Sequence, residues 1–114
     1  MTLDETLADR GRTYGSFESH AKLAQLMKRI VWEHRGWGKL ADDQRQALEV
    51  IFDKIARVLN GDPDHKDSWQ DIAGYAMLIV RRLDQEERIA QAILQTNRMM
   101  DKHYGPTGTK ETPV

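Results

Sequence analysis

Apolar residues recur every three or four positions through most of the chain, and this period predicts helices. The first long stripe follows the spacing i, i+3, i+4, i+7, i+8 and consists of Leu23, Leu26, Met27, Ile30 and Val31. It predicts a helix from Ser16, which can cap its start, to about His34. Gly36 is predicted to end this helix.

A second stripe predicts a helix from Ala41 to Leu59, which Asp42 or Asp43 can cap and Gly61 ends. Its apolar positions are Leu48, Ile51, Phe52, Ile55, Val58 and Leu59. A polar row lies roughly opposite this stripe and consists of Glu49, Asp53 and Arg57. In an isolated helix hairpin this row faces water, with a weak pair between Asp53 and Arg57.

The third predicted helix begins near Lys66 and contains nine consecutive uncharged residues, Ile72 to Val80. A helix that is apolar nearly all round is buried on more than one side, and in so short a chain a second subunit is the simplest cover. Beyond Arg81 the pattern allows either one long helix to about Met100 or a short break near Asp84.

The start of the chain predicts a short helix over 2–9, because Thr2 and Glu5 have capping-box spacing. Two glycines then predict a break over 11–16. This break is either an ordinary interhelical loop or a segment whose side chains hold an anionic or aromatic ligand, namely Arg12, Tyr14 and Ser16.

The helical patterns, with no strand of convincing alternation, predict an all-α protein, which we expect to be an antiparallel bundle of about four helices in an oligomer. The 114 residues suit one domain, which we place at 1–103, with a disordered tail over 104–114. Charged residues make up 31% of the chain and hydrophobic residues 39%, which fits a small helical protein with much polar surface.

Charge and targeting signals exclude several classes of function. The net charge is −1 and no basic stripe is visible, so nucleic acid is not an expected partner. The absence of cysteine excludes disulfides and thiolate metal sites. Residues 1–15 lack the apolar core of a signal peptide, and no apolar run approaches the ~20 residues of a membrane span. We therefore expect a cytoplasmic protein.

Two acid pairs are candidates for chemistry, because residues four apart share a helix face. The pairs are Glu49 with Asp53, and Asp67 with Asp71. If the two helices form an antiparallel hairpin, the four carboxylates line one groove and offer the hard oxygen ligands that Mg²⁺ or Mn²⁺ prefers. Lys54 and Arg57 lie near enough to contact phosphate oxygens. If no metal ion binds there, the partner of Asp71 is only a lysine or an arginine.

Two stretches resemble small phage and bacterial relatives of the MazG-like all-α nucleoside triphosphate pyrophosphohydrolases. They are Asp53-Lys54-Ile55-Ala56-Arg57 and Asp67-Ser68-Trp69-Gln70-Asp71-Ile72-Ala73-Gly74-Tyr75-Ala76, and Tyr14-Gly15-Ser16-Phe17 is also similar to the opening segment of such phage proteins. The resemblance implies a helical bundle in dimers or tetramers that uses Mg²⁺. The family signature is E-E-x-x-E on one helix and E-E-x-x-D on the next. Here the outer acids are kept, whereas Val50 and Ser68 replace the inner ones.

The leading hypothesis from the resemblance is Mg²⁺-dependent cleavage of a nucleoside or deoxynucleoside triphosphate to the monophosphate and pyrophosphate. The expected catalytic residues are Glu49, Asp53 and Asp71, and the expected metal ligands are Glu49, Asp53, Asp67 and Asp71. The expected substrate contacts are Lys54 and Arg57 on the phosphates, with the base near Tyr14, Phe17, His20 or Trp69.

Two other functions stay open at this point. The first is a nucleotide-binding or sequestering helical oligomer without catalysis, which the loss of the two inner acids would allow. The second is a purely structural helical oligomer, in which the acids pair with Lys54, Arg57 or arginines of another subunit.

Overall fold

The computed structural model describes residues 1–104, and within them the helices are joined by turns and loops, without a strand. Four α-helices follow one another: α1 Leu3–Tyr14, α2 Phe17–Trp32, α3 Asp42–Asn60 and α4 Lys66–Tyr104, with a short 3-10 helix, Trp37–Lys39, between α2 and α3. The predicted all-α class is confirmed. The predicted disordered tail lies outside the described residues, except that Tyr104 ends α4.

The chain divides into two units, Met1–Ile79 and Val80–Val114. The first contains α1, α2, α3 and the start of α4. The described part of the second is the remainder of α4, a single helix. The single domain over 1–103 stays a prediction.

α1 is longer than the sequence predicts. The capping box of Thr2 and Glu5 is present, but the helix continues through Gly11 to Tyr14. The predicted break over 11–16 is therefore wrong in its first half. A glycine inside a helix is less favourable than alanine by only about 1 kcal/mol, and the chain turns only at Gly15, where φ is +78°.

α2 and α3 form the most extensively packed helix pair. Their buried apolar residues are small, namely Ala24, Ala47 and Ala56. Parts of the predicted apolar stripes lie outside this contact, since Ile30 is 64% exposed and Leu59 is 66% exposed. The helices are rotated so that a partly polar face of each lies inside.

The start of α3 differs from the prediction, whereas α4 follows one of the two alternatives that the sequence left open, the single long helix. The N-cap of α3 is Ala41 rather than Asp42 or Asp43, and its backbone N–H donates to the Gln44 side chain at 2.8 Å. α4 continues without a break at Asp84, and within that stretch Arg82 donates to Glu86 at 3.0 Å. Such i, i+4 pairs add a few tenths of a kcal/mol to an exposed helix.

The apolar segment at the start of α4 is only partly covered within one chain. Ile72, Tyr75 and Ile79 are half-buried, whereas Met77 and Leu78 are exposed. The burial predicted for this segment on more than one side is therefore not provided by the described residues of the same chain. Among residues 1–104, no helix is long and apolar enough to cross a membrane.

Candidate functional site

The end of α3 is fastened to the turn between α1 and α2 by a single amide side chain. Asn60 donates through Nδ2 to the backbone carbonyls of Tyr14 and Ser16, each at 2.9 Å. Gly15 lies against the Asn60 backbone so closely that a Cβ there would clash with it. Tyr14 therefore has a fixed position at the end of α1.

A second backbone contact completes this junction. The N–H of Asp62 donates to the carbonyl of Thr13 at 2.7 Å. A Cβ at Gly61 would overlap the backbone of Thr13 and Tyr14. Only glycine fits this approach without a shift of the backbone, so the Gly61 turn and the α1 terminus are packed main chain against main chain.

The junction bounds a cavity of about 360 Å³ between α1, α2 and α3. This volume falls within the range of small-molecule sites. The lining consists of Leu7, Arg10, Gly11, Tyr14, Gly15, Ser16, Phe17, His20 and Arg57. Two guanidinium groups, three aromatic rings and no carboxylate therefore face one space, which favours an anionic ligand with an aromatic part.

Tyr14 lies close to both arginines. The guanidinium carbon of Arg57 lies 4.9 Å from the centre of its ring, and that of Arg10 lies 5.2 Å away. Neither guanidinium forms a salt bridge with a carboxylate of residues 1–104. Tyr14 also contacts His65. Its hydroxyl lies 3.4 Å from Nε2 of His65, and the rings of Tyr14 and His65 meet edge to face.

His20 contributes a buried polar atom to the cavity wall. Its Nδ1 is buried and has no hydrogen-bond partner among the described residues. Burial lowers the pKa of His20 below its ordinary 6.5, and the charge of Arg57 lowers the pKa further. Because its pKa lies below 6.5, the imidazole is mostly neutral at pH 7. Phe17 lies beside it, with ring centres 6.2 Å apart, and is 82% exposed.

A row of α2 residues at i, i+4 spacing faces the acid row of α3, and we call this contact the polar seam. The α2 row is His20, Ala24, Lys28 and Trp32, and the α3 row is Glu49, Asp53 and Arg57. Lys28 Nζ lies 2.9 Å from Asp53 Oδ1. Trp32 Nε1 donates to Glu49 Oε1 at 2.9 Å. These contacts show that α2 and α3 run antiparallel.

The polar seam corrects two expectations. The row of Glu49, Asp53 and Arg57 does not face water but lies half-buried against α2 and the cavity. The expected weak pair between Asp53 and Arg57 does not form, because Lys28 takes the carboxylate and Arg57 turns to Tyr14.

The second acid pair has separate partners. Asp71 lies 2.9 Å from Lys54, whose side chain is mostly buried. Asp67 lies 3.8 Å from His65 and is exposed. Lys54 follows Asp53 directly, so its side chain leaves α3 about 100° away from that of Asp53. The lysine partner that the sequence allowed for Asp71 is thus the one observed.

The four predicted metal ligands do not converge within one chain. Their partners are Trp32 for Glu49, Lys28 for Asp53, His65 for Asp67 and Lys54 for Asp71. Within residues 1–104, no three Asp, Glu or His side chains are close enough to share a metal ion. The oxygen donors suit Mg²⁺ chemically, but this arrangement does not fit a shared ion, and the magnesium or manganese site stays a prediction.

The positions of the two missing family acids are covered. Ser68 is only 3% exposed, and Val50 is half-buried. A carboxylate at position 68 would be buried and would require a cationic partner. Trp69, one of the predicted substrate contacts, lies outside the cavity and donates to the carbonyl of Pro63 at 2.7 Å.

The structure therefore brings together Tyr14, His20, Arg57 and Phe17 and leaves Lys54 and Trp69 outside the cavity lining. Sequence reasoning missed Arg10, which precedes Tyr14 by four residues and so shares its helix face once α1 is extended. It also missed Lys28, which follows His20 by eight residues, two i+4 steps along the same face. No local signal marks the two hydrogen bonds of Asn60.

Comparison with known proteins gives a family and one distant relative. A B3 domain-containing protein of Oryza sativa subsp. japonica is 25% identical over 114 residues, which is 100% of this chain and 22% of that protein. The chain thus spans about a fifth of the length of this curated relative. No solved structure matches the chain. A family model described as a domain of unknown function, DUF6378, matches residues 4–82, and this protein therefore belongs to the DUF6378 family.

Proposed function

We propose that this protein binds a nucleoside or deoxynucleoside triphosphate in the cavity between α1, α2 and α3. The observation that carries the proposal is the pair of guanidinium groups on Tyr14, which lack a carboxylate partner among residues 1–104. They lie in the same cavity wall as Phe17 and His20.

The phosphate part of the ligand is assigned to Arg10 and Arg57. A guanidinium that stacks on an aromatic ring keeps its N–H edge available, and this edge matches phosphate oxygens in bidentate geometry. Two such cations that share one ring repel each other, and a polyanion between them removes that repulsion.

The base is assigned to the end of the cavity at Phe17. A largely exposed phenyl ring offers a stacking surface, and base stacking on an aromatic side chain contributes about 1–3 kcal/mol per base. The neutral imidazole of His20, whose ring centre lies 6.2 Å from that of Phe17, adds a second aromatic surface at this end of the cavity.

The catalytic form of the proposal is Mg²⁺-dependent pyrophosphohydrolysis, and it rests on the resemblance to MazG-like enzymes. Asp53 and Glu49 lie in the same α3 row as Arg57, which supports it. However, a divalent ion on Asp53 and Asp71 requires Lys28 and Lys54 to leave those carboxylates. The geometry of a single chain therefore favours binding without cleavage.

The resemblance extends the proposal in three further respects. We propose a MazG-like bundle, a homo-oligomer and a cytoplasmic role in the nucleotide pool of a phage or bacterium. The all-helical fold of the described residues is compatible with the first of these.

The test is a screen of all NTPs and dNTPs, with Mg²⁺ or Mn²⁺ and with neither. Melting temperature reports binding, and separate assays of pyrophosphate and phosphate report cleavage. Binding without product supports the non-catalytic form, and pyrophosphate release supports the enzyme. If no nucleotide shifts the melting temperature and no product forms, the proposal is wrong, and a purely structural role is favoured.

A further inference from the structure

The helix from Val80 to Tyr104 exposes an unusual amount of apolar surface. Seven large apolar side chains in it are 44–57% exposed: Val80, Leu83, Ile89, Ile93, Leu94, Met99 and Met100. A single helix cannot bury its own apolar face. Exposed apolar patches above a few hundred Å² mark interaction sites in soluble proteins.

Three of these side chains, Leu83, Ile93 and Met100, lie on one stripe. Steps of three and four residues connect Leu83, Glu86, Ala90, Ile93, Asn97 and Met100. This is the heptad spacing of a and d positions in a coiled coil, with Leu83, Ala90 and Asn97 at a and the others at d. Ile89 and Leu94 flank the stripe and widen it.

We propose that this segment of α4 pairs antiparallel with the same segment of a second copy of the chain. In an antiparallel pair, an a position of one helix faces a d position of the other. The resulting layers are Leu83 with Met100, Ala90 with Ile93, and Glu86 with Asn97, each formed twice across the two-fold axis.

The pattern is complementary to itself, which selects a second copy as the occupant. The two polar positions fall in one layer, where the Asn97 amide of one copy can donate to the Glu86 carboxylate of the other. The small Ala90 faces the larger Ile93, and the two remaining apolar residues face each other.

The direction follows from charge. A parallel pair would place Glu86 directly against Glu86 of the second copy, and two like charges in a partly buried layer are strongly unfavourable. In the antiparallel pair, each Glu86 instead keeps its own Arg82, at 3.0 Å in the single chain, and gains an amide donor.

The first test is the mass of the full chain in solution. We expect the wild type to sediment at twice the chain mass, and Ile93→Lys to sediment at the chain mass because it places two charges in the central layers. Gln95→Lys adds the same charge to the opposite face of the same helix and should stay dimeric. A monomeric wild type, or an Ile93→Lys variant that stays dimeric, overturns the proposal.

The second test fixes the direction and uses the natural absence of cysteine. Leu83→Cys and Met100→Cys chains with different mass tags are mixed and oxidised. The antiparallel pair predicts crosslinks between Leu83→Cys of one copy and Met100→Cys of the other. Predominant crosslinks between two Leu83→Cys copies overturn the antiparallel arrangement, since those positions are then ~25 Å apart along the helix axis.

Discussion

The polar seam and the Val80–Tyr104 helix distribute polar and apolar side chains in opposite ways. In the seam, charged groups are half-buried and have partners. Lys28 forms an ion pair with Asp53, and Trp32 donates a hydrogen bond to Glu49. In the Val80–Tyr104 helix, apolar groups are exposed and lack cover from their own segment. The first region is arranged around ions and hydrogen bonds, and the second requires another surface.

The difference separates two kinds of evidence about function. Most charges in the seam are paired, whereas Arg57 at its end and Arg10 of α1 have no carboxylate partner among residues 1–104, and these two cations point to an anionic ligand. The stripe of the Val80–Tyr104 helix contains only two polar residues, Glu86 and Asn97, and it points to a second protein surface.

The largest expected effect comes from breaking the junction that holds the cavity. Gly61→Ala should destabilise the protein by about 2–3 kcal/mol, because its Cβ overlaps the backbone of Thr13 and Tyr14. Urea unfolding measures this. Gly38→Ala, where a Cβ meets nothing within 4 Å, is the control, and equal stability of the two variants would contradict the packed junction.

The next prediction tests how much the ion pair between Lys28 and Asp53 in the seam stabilises the fold. Asp53→Asn should lower the free energy of unfolding by about 1 kcal/mol, because it leaves the mostly buried ammonium of Lys28 without its carboxylate. The matched control is Asp67→Asn, an exposed acid whose carboxylate lies 3.8 Å from the His65 imidazole, and its effect should stay within about 0.5 kcal/mol. Equal losses in the two variants would show that the seam pair is no better than a surface pair.

The smallest effect concerns pH. The pKa of His20 is lowered, mainly by burial and then by Arg57, so the unfolded chain binds the proton more readily than the folded one. The neutral His20 therefore contributes to the free energy of unfolding. This contribution is fully present above pH 6.5 and is lost as the pH falls from 6.5 towards the lowered pKa. His20→Gln should therefore lose less stability than the wild type between about pH 7.5 and 5. Identical pH profiles would place His20 in water.

The sequence predicts the helices well because their apolar period is local. It fails where the outcome depends on a partner far along the chain. Asp53 was expected to face water, since nothing near it in sequence shows that Lys28 of α2 lies opposite. The end of α1 was missed because Gly11 reads as a break, although a helix tolerates one glycine. The position of Tyr14 depends on Asn60, forty-six residues later.

The candidate site was predictable in its residue types more than in its location. Tyr14, His20 and Arg57 were selected as substrate contacts, and the structure places them around one cavity. The predicted acid groove between α3 and α4 required those two helices to form the main hairpin. Instead α3 pairs with α2, so Glu49 and Asp53 turn away from Asp71.

The central claim is that Arg10 and Arg57, which lack a carboxylate partner among residues 1–104, make the cavity a triphosphate site. Isothermal titration of each nucleoside triphosphate with Mg²⁺ absent tests binding apart from cleavage, and the variant to compare is Arg57→Met. We expect at least a ten-fold loss of affinity, about 1.4 kcal/mol, whereas Arg12→Met, which removes an exposed arginine paired with Asp9, should bind as the wild type does. Unchanged affinity in Arg57→Met, or an equal loss in Arg12→Met, would contradict the claim.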